Sequence, residues 1–162
     1  MNRPAPYNGI AILMSGSRSL SGSRIAQALA ERGIPCVVVE QNRERVKELR
    51  EKDMAAVSGD AARPAVLIQA HIAQASMLVI ATPDTISVRK MAEIARSLNP
   101  AIEIALRTHS EEEANLLTKE NVGTVFLGEH ELAFAMTRHV LARRGIELPG
   151  AMVDRGTAVT SP

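Results

Sequence analysis

A chain of 162 residues is long enough for one domain with a packed core and too short for two of ordinary size. Hydrophobic residues make up 46% of it and aromatic residues only 2%, so Val, Ile, Leu, Ala and Met must build the core, a composition suited to parallel sheets covered by helices. The net charge is +1, with both signs interleaved and no basic stripe or aromatic stacking platform, which argues against nucleic acid as a partner.

The lone cysteine, Cys36, lies in the apolar run 35–39 and reads as a small core residue; it cannot form an internal disulfide, which favours a cytoplasmic setting. No apolar stretch reaches the roughly 18 residues needed to span a bilayer. Residues 1–8 lack the apolar centre of a signal peptide. The expectation is a chain that does not itself insert into a membrane.

Short apolar runs alternate with amphipathic stretches along the chain. Gly9 to Ser15 reads as a buried strand, followed by a helix from Ser23 to Arg32 with Ile25, Ala26 and Leu29 on one face and Gly33 as its C-terminal stop. Cys36 to Val39 is a second strand, and Asn42 caps a charged helix whose Val46 and Leu49 point inward. Met54 to Val57 is a third strand and Pro64 to Ala70 a short helix opened by proline. Met77 to Ala81, the most apolar strand, is expected to be central. The helix Thr85 to Leu98 carries Ile86, Met91, Ile94 and Leu98 on its expected inner face. A strand from Ile102 to Leu106, a helix from Glu111 to Lys119 and a strand from Thr124 to Leu127 follow. The closing helix, Glu129 to Arg143, is expected to bury Leu132, Met136 and Val140.

This alternation predicts an α/β fold of Rossmann type: a doubly wound, six-stranded parallel sheet in the order 3-2-1-4-5-6, with a ligand crevice at the carboxyl ends of the first and fourth strands. Residues 1–8 form an N-terminal extension, 9–144 the domain and 145–162 a flexible tail.

Dinucleotide folds place Gly-x-Gly-x-x-Gly after the first strand, so that backbone N–H groups and a helix N-terminus meet phosphate. Here the segment is Gly16-Ser17-Arg18-Ser19-Leu20-Ser21-Gly22, with Ser17 and Ser19 where the first two glycines would stand. Serine is small, and its hydroxyl can donate to phosphate; Arg18 either contacts an anion or projects into solvent. No lysine follows Gly22, which excludes a P-loop. Glu40 ends the second strand 18 residues after Gly22, where a carboxylate accepts from both ribose hydroxyls and repels a 2′-phosphate. Asp60, in Gly59-Asp60-Ala61, either caps the next helix or accepts from an adenine amino group. After the fourth strand Thr82 offers a hydroxyl, Pro83 fixes the backbone and Asp84 caps the following helix.

None of the four histidines has metal spacing, and no Ser-His-Asp set, carboxylate pair or Tyr-x-x-x-Lys can be assembled. His109 reads as a surface loop residue. The sheet uses nearly the whole chain, leaving no second domain to hold a substrate against a nicotinamide. These features point to binding rather than catalysis.

The segments 22–29, 37–46, 59–67, 79–84, 99–107 and 128–133, in this order and spacing, resemble the regulator-of-potassium-conductance domain (RCK, also KTN or TrkA N-terminal), especially the cytosolic domain of Kef-type monovalent cation:proton antiporters. The resemblance covers about residues 9–143 and departs from the family in the glycine turn. It implies an AMP- or NAD(H)-type nucleotide whose occupancy biases a membrane-embedded cation transporter, in the same or a separate chain, on the cytoplasmic side of the inner membrane. By family pattern the turn from Gly16 to Gly22 holds phosphate, Glu40 the ribose, Asp60 and Ala61 the adenine side, and Thr82 and Pro83 complete the pocket, with Gln41 beside Glu40 a further cofactor-binding candidate. A homodimer through the half from the fifth strand to the sixth helix is also implied. Two rival readings are a small NAD-dependent oxidoreductase subunit and a nucleotide-blind dimerisation domain.

Overall fold

The structure, a computed structural model, describes residues 9–14, 20–82 and 84–146. Along it alternate β1 (Ile10–Met14), α1 (Leu20–Ala30), β2 (Cys36–Glu40), α2 (Arg43–Glu51), β3 (Ala55–Ser58), α3 (Pro64–Gln69), β4 (Met77–Ile80), α4 (Thr85–Leu98), β5 (Glu103–Thr108), α5 (Glu111–Lys119), β6 (Thr124–Leu127) and α6 (Gly128–Arg143). A single 3-10 turn, Ile72–Gln74, separates α3 from β4. The strands form one sheet in the order β3-β2-β1-β4-β5-β6, and every pairing is parallel. Strand order reverses between β1 and β4, the place where parallel α/β sheets open a crevice at their carboxyl edge.

Local chemistry sets several element ends. Gly33 sits at φ +66° beyond α1. Its N–H donates to Ala30 O, and the Ile34 N–H donates to Leu29 O, the paired bonds that close a helix through a left-handed residue. Asn42 caps α2, its side chain accepting from the N–H groups of Glu44 and Arg45. Ser110 caps α5 in the same way through the Glu113 N–H.

Side chains alternate across the sheet. Val37, Val39, Leu78, Ile80, Ile104 and Leu106 enter the larger core, where they meet Leu67, Val88, Met91, Ala92 and Leu117 from α3, α4 and α5. On the other face Val38 packs with Ala26 of α1 and Leu49 of α2. That second face is covered over β2 and β3, reaches Val79 of β4, and opens beyond it over β5 and β6. The opening is a groove of about 500 Å³ whose lining includes Ile25, Val79, Ala105 and Phe126.

The open half explains the main departures from the sequence expectations. Leu132, Met136 and Val140 are 61%, 61% and 59% exposed, and none of α6 is buried. Their spacing marks an apolar row correctly, but no other element among the described residues packs over it. Ile86 is likewise exposed. The buried row of α4 is Val88, Met91, Ala92 and Ala95, because Ile86 precedes the point where the helix meets the sheet. α1 begins at Leu20 rather than Ser23, so Gly22 lies within its first turn and not ahead of it. β5 runs on to Thr108, placing Arg107 and Thr108 in the strand instead of the following loop.

Candidate functional site

The carboxyl ends of β1 to β4 finish along one rim. Met14 pairs with Glu40, Glu40 with Ser58, and Leu13 with Ile80. Glu40 is therefore held beside the end of the first strand, and the Gly59 N–H donates to its main-chain oxygen at 3.1 Å. Its side chain is 1% exposed. The carboxylate Oε1 accepts from the Asn42 N–H at 2.9 Å, which is its one hydrogen bond among the described residues. A buried carboxylate is stable only when polar partners replace water, and it has room for about four hydrogen bonds. Glu40 thus keeps acceptor capacity in a place where hydroxyl donors satisfy it well. Gln41 beside it is exposed.

Asp60 does not cap α3. The N-cap position is Arg63, without a side-chain bond. Instead Asp60 Oδ1 accepts from the Ala62 N–H at 2.8 Å, and its carbonyl accepts from the Arg63 N–H, folding the chain back immediately after β3. The side chain of Asp60 is exposed and Ala61 is buried beneath it. Thr82, two residues past β4, is 1% exposed, and its hydroxyl accepts from the Asp84 N–H at 3.3 Å. Asp84 caps α4 through the Ile86 N–H and also accepts from the Ser87 hydroxyl, the bond that chiefly holds its carboxyl below the ordinary range.

On the phosphate side, Gly16, Ser17, Arg18, Ser19 and Pro83 lie outside the described residues, and only the main chain of Leu20 is described. Gly22 stands in the first turn of α1. That turn carries no acidic residue, and a helix N-terminus carries positive potential. Residues present thus fit an adenine nucleotide at the ribose end through Glu40.

Sequence reasoning missed Arg107. It stands next to last in β5, opposite Phe126 of β6, and its Nη1 donates to Ser21 Oγ in the first turn of α1 at 2.9 Å. The available signal was a charge near the carboxyl end of a strand. His109 is exposed, as expected. Cys36 is half-buried and its Sγ points to the Ala26 carbonyl at 3.9 Å; burial pushes the thiol pKa up, the opposite of an activated nucleophile. Among the described residues no cluster of three or more His, Cys, Asp or Glu could hold a metal ion. No described helix is long and apolar enough to cross a membrane.

The TrkA-N domain family matches residues 19–127, more than half of the chain. YbaL of Escherichia coli (strain K12), named for cation/proton antiport, is 36% identical over 115 residues; the match spans 71% of this chain and 21% of that protein. The chain therefore spans about a fifth of the length of this relative. The crystal structure of the TrkA-N domain of E. coli inner membrane protein YbaL is 33% identical with a TM-score of 0.73, covering 80% of this chain and 94% of that one. The Shewanella denitrificans Kef C-terminal domain in its AMP-bound form is 20% identical with a TM-score of 0.67, over 90% of this chain and 85% of that one. The GsuK channel bound to NAD is 18% identical with a TM-score of 0.63, over 78% of this chain and 22% of that one. The last two likenesses are likenesses of fold. From its sequence match over residues 19–127 and its likeness to the YbaL domain, the chain belongs to the TrkA-N domain family.

Proposed function

We propose that this chain is a regulatory nucleotide-binding domain that takes an adenine nucleotide of the AMP or NAD(H) type. In this reading it uses occupancy to bias a membrane-embedded cation:proton antiporter from the cytoplasmic side. The observation that carries it is Glu40: a buried carboxylate with spare acceptor capacity at the end of β2, beside the switch point of a TrkA-N fold. The relatives in YbaL and Kef support the antiporter partner, and the AMP and NAD complexes of fold relatives support the ligand class.

In this reading Glu40 accepts from the ribose hydroxyls, with Gln41 beside it, and Asp60 and Ala61 flank the adenine. Gly16, Ser17, Arg18, Ser19, Leu20 and Gly22 meet phosphate, with Thr82 and Pro83 closing the pocket. The domain binds and does no chemistry on its ligand. A ligand that contacts one arrangement of the domain better than another shifts the population by that difference in affinity alone. Calorimetric titration with AMP, ATP, NAD⁺ and NADH, beside an NADH-oxidation assay, tests this. Saturable binding without turnover is expected. Turnover would favour an oxidoreductase subunit, and no heat with any of the four would favour a nucleotide-blind domain.

The same chain carries an unpartnered apolar row on α6 and an unpartnered apolar groove over β4 to β6, so two copies can bury both symmetrically. Charge agrees, since α6 opens with Glu129 and Glu131 and ends at Arg143 and Arg144, which match head to tail in an antiparallel pair. We therefore propose a homodimer through α6. Replacing Leu132, Met136 and Val140 together by serine should shift Tm by no more than about 3 °C, because all three are exposed in one copy. Sedimentation should show the dimer weakened more than about 100-fold. An unchanged dimer would place the interface elsewhere.

A further inference from the structure

The buried polar side chains among the described residues are Glu40, Thr82 and Thr108, at 1%, 1% and 2% exposure. Glu40 and Thr108 are the last residues of β2 and β5, and Thr82 lies just past β4. Each accepts from the N–H of the residue two places on. The Asn42 N–H donates to Glu40 Oε1 at 2.9 Å, the Asp84 N–H to Thr82 Oγ1 at 3.3 Å and the Ser110 N–H to Thr108 Oγ1 at 3.3 Å. In all three cases the donor is the N-cap residue of the next helix, α2, α4 or α5. The carboxyl rim thus repeats one arrangement, a buried acceptor fastened by the main chain of a helix cap.

The β5 copy is closed. Thr108 passes its hydroxyl proton to Glu113 Oε2 at 3.0 Å, so it both donates and accepts inside the domain. The β2 copy is open. The bond from Asn42 is the one that the Glu40 carboxylate makes among the described residues, so its aim depends on Asn42. A glutamate has three side-chain torsions, and fixing one carboxylate oxygen sets the direction of the other. The Asn42 N–H is fixed in turn by the Asn42 side chain. Its Oδ1 accepts from the Glu44 and Arg45 N–H groups at 3.0 and 3.2 Å, which holds the residue extended at φ −75°, ψ 113°. Its carbonyl accepts from the N–H of Val46, a buried residue, at 3.1 Å.

We propose that Asn42 is a positioning residue for the nucleotide site: its side chain, acting through its own N–H, aims the Glu40 carboxylate at the ribose hydroxyls. The proposal rests on the Glu40 reading above. It makes the cap of α2 part of the binding machinery, while the matching cap of α5, Ser110, serves the fold alone. Hydrogen bonds weaken steeply when misaligned, so a carboxylate free to turn loses affinity although its charge remains.

Calorimetry with AMP and NAD⁺ on the full chain, beside thermal unfolding, tests it. Asn42→Ala and Ser110→Ala each remove one cap and should lower Tm by similar amounts, about 2–4 °C. Asn42→Ala should raise the nucleotide dissociation constant at least about fivefold, while Ser110→Ala stays within about twofold of wild type. Asn42→Ser keeps a capping oxygen and should restore binding to within about twofold. Added to Glu40→Gln, Asn42→Ala should cost less than about twofold more, because both changes act through one group. Wild-type affinity in Asn42→Ala, equal losses in the two cap variants, no rescue by serine or additive losses with Glu40→Gln would each overturn the positioning role and leave the ribose reading in place. Wild-type protein that binds neither nucleotide would instead remove the ribose reading and the positioning role with it.

Discussion

Glu40→Gln should raise the dissociation constant for AMP or NAD(H) by about 10- to 100-fold while leaving the fold in place. Hydrogen bonds to a charged acceptor contribute about 1.5–3 kcal/mol each, and the amide forfeits the charge and turns one acceptor atom into a donor. The remaining amide oxygen can still accept from the Asn42 N–H that now reaches Oε1. For that reason the change in Tm should stay within about 3 °C. Glutamine is the informative replacement, since alanine would also strand that N–H and open a hole in a site that is 1% exposed. The same carboxylate should disfavour a 2′-phosphate, so NADP(H) should bind at least about tenfold more weakly than NAD(H). Calorimetry on the two proteins with the two dinucleotides reads all of this, and equal affinities throughout would detach Glu40 from the ribose.

The largest expected effect on stability lies far from the crevice. Gly123 leads into β6, and a β-carbon there would strike the Ile104 carbonyl oxygen and lie 2.9 Å from Ile104 Cβ. Ile104 is buried in the larger core and its neighbour Ala105 pairs with Thr124. Gly123→Ala therefore has to push β6 off β5 at the first rung of their ladder, against backbone that cannot rotate away. A loss of about 3 kcal/mol is expected, or roughly 6–12 °C in Tm for a chain of this size. Gly33 provides the contrast. It has open space around it and needs only its positive φ, so Gly33→Ala should lose about 1 kcal/mol. Thermal unfolding of the two variants should show Gly123→Ala as clearly the worse; the reverse order would mean that β6 yields more easily than its register suggests.

Much of the fold could be read from local chemistry. Asn42, Asp84 and Gly33 act within a few residues of themselves, so their capping roles are written in short stretches of sequence and recur in the structure. Val46 and Leu49 were placed inward by the same logic, since α2 has one neighbouring surface to meet. Periodicity says that a face is apolar without saying what covers it. Leu132, Met136, Val140 and Ile86 show this, as the same spacing that buries Met91 leaves them in solvent. Arg107 was hidden for a related reason. A charge near a strand end looks like loop, and its hydrogen-bond partner, Ser21, lies 86 residues away in sequence. Glu40 was legible because its whole setting, an apolar strand closed by one carboxylate, is local.

The central claim is that an adenine nucleotide sits at the rim with its ribose on Glu40. A crystal structure of the chain grown with AMP tests it most directly. The account predicts both ribose hydroxyls within hydrogen-bonding distance of the Glu40 carboxylate and the phosphate at the first turn of α1. AMP bound elsewhere, or an empty rim at saturating AMP, would contradict it.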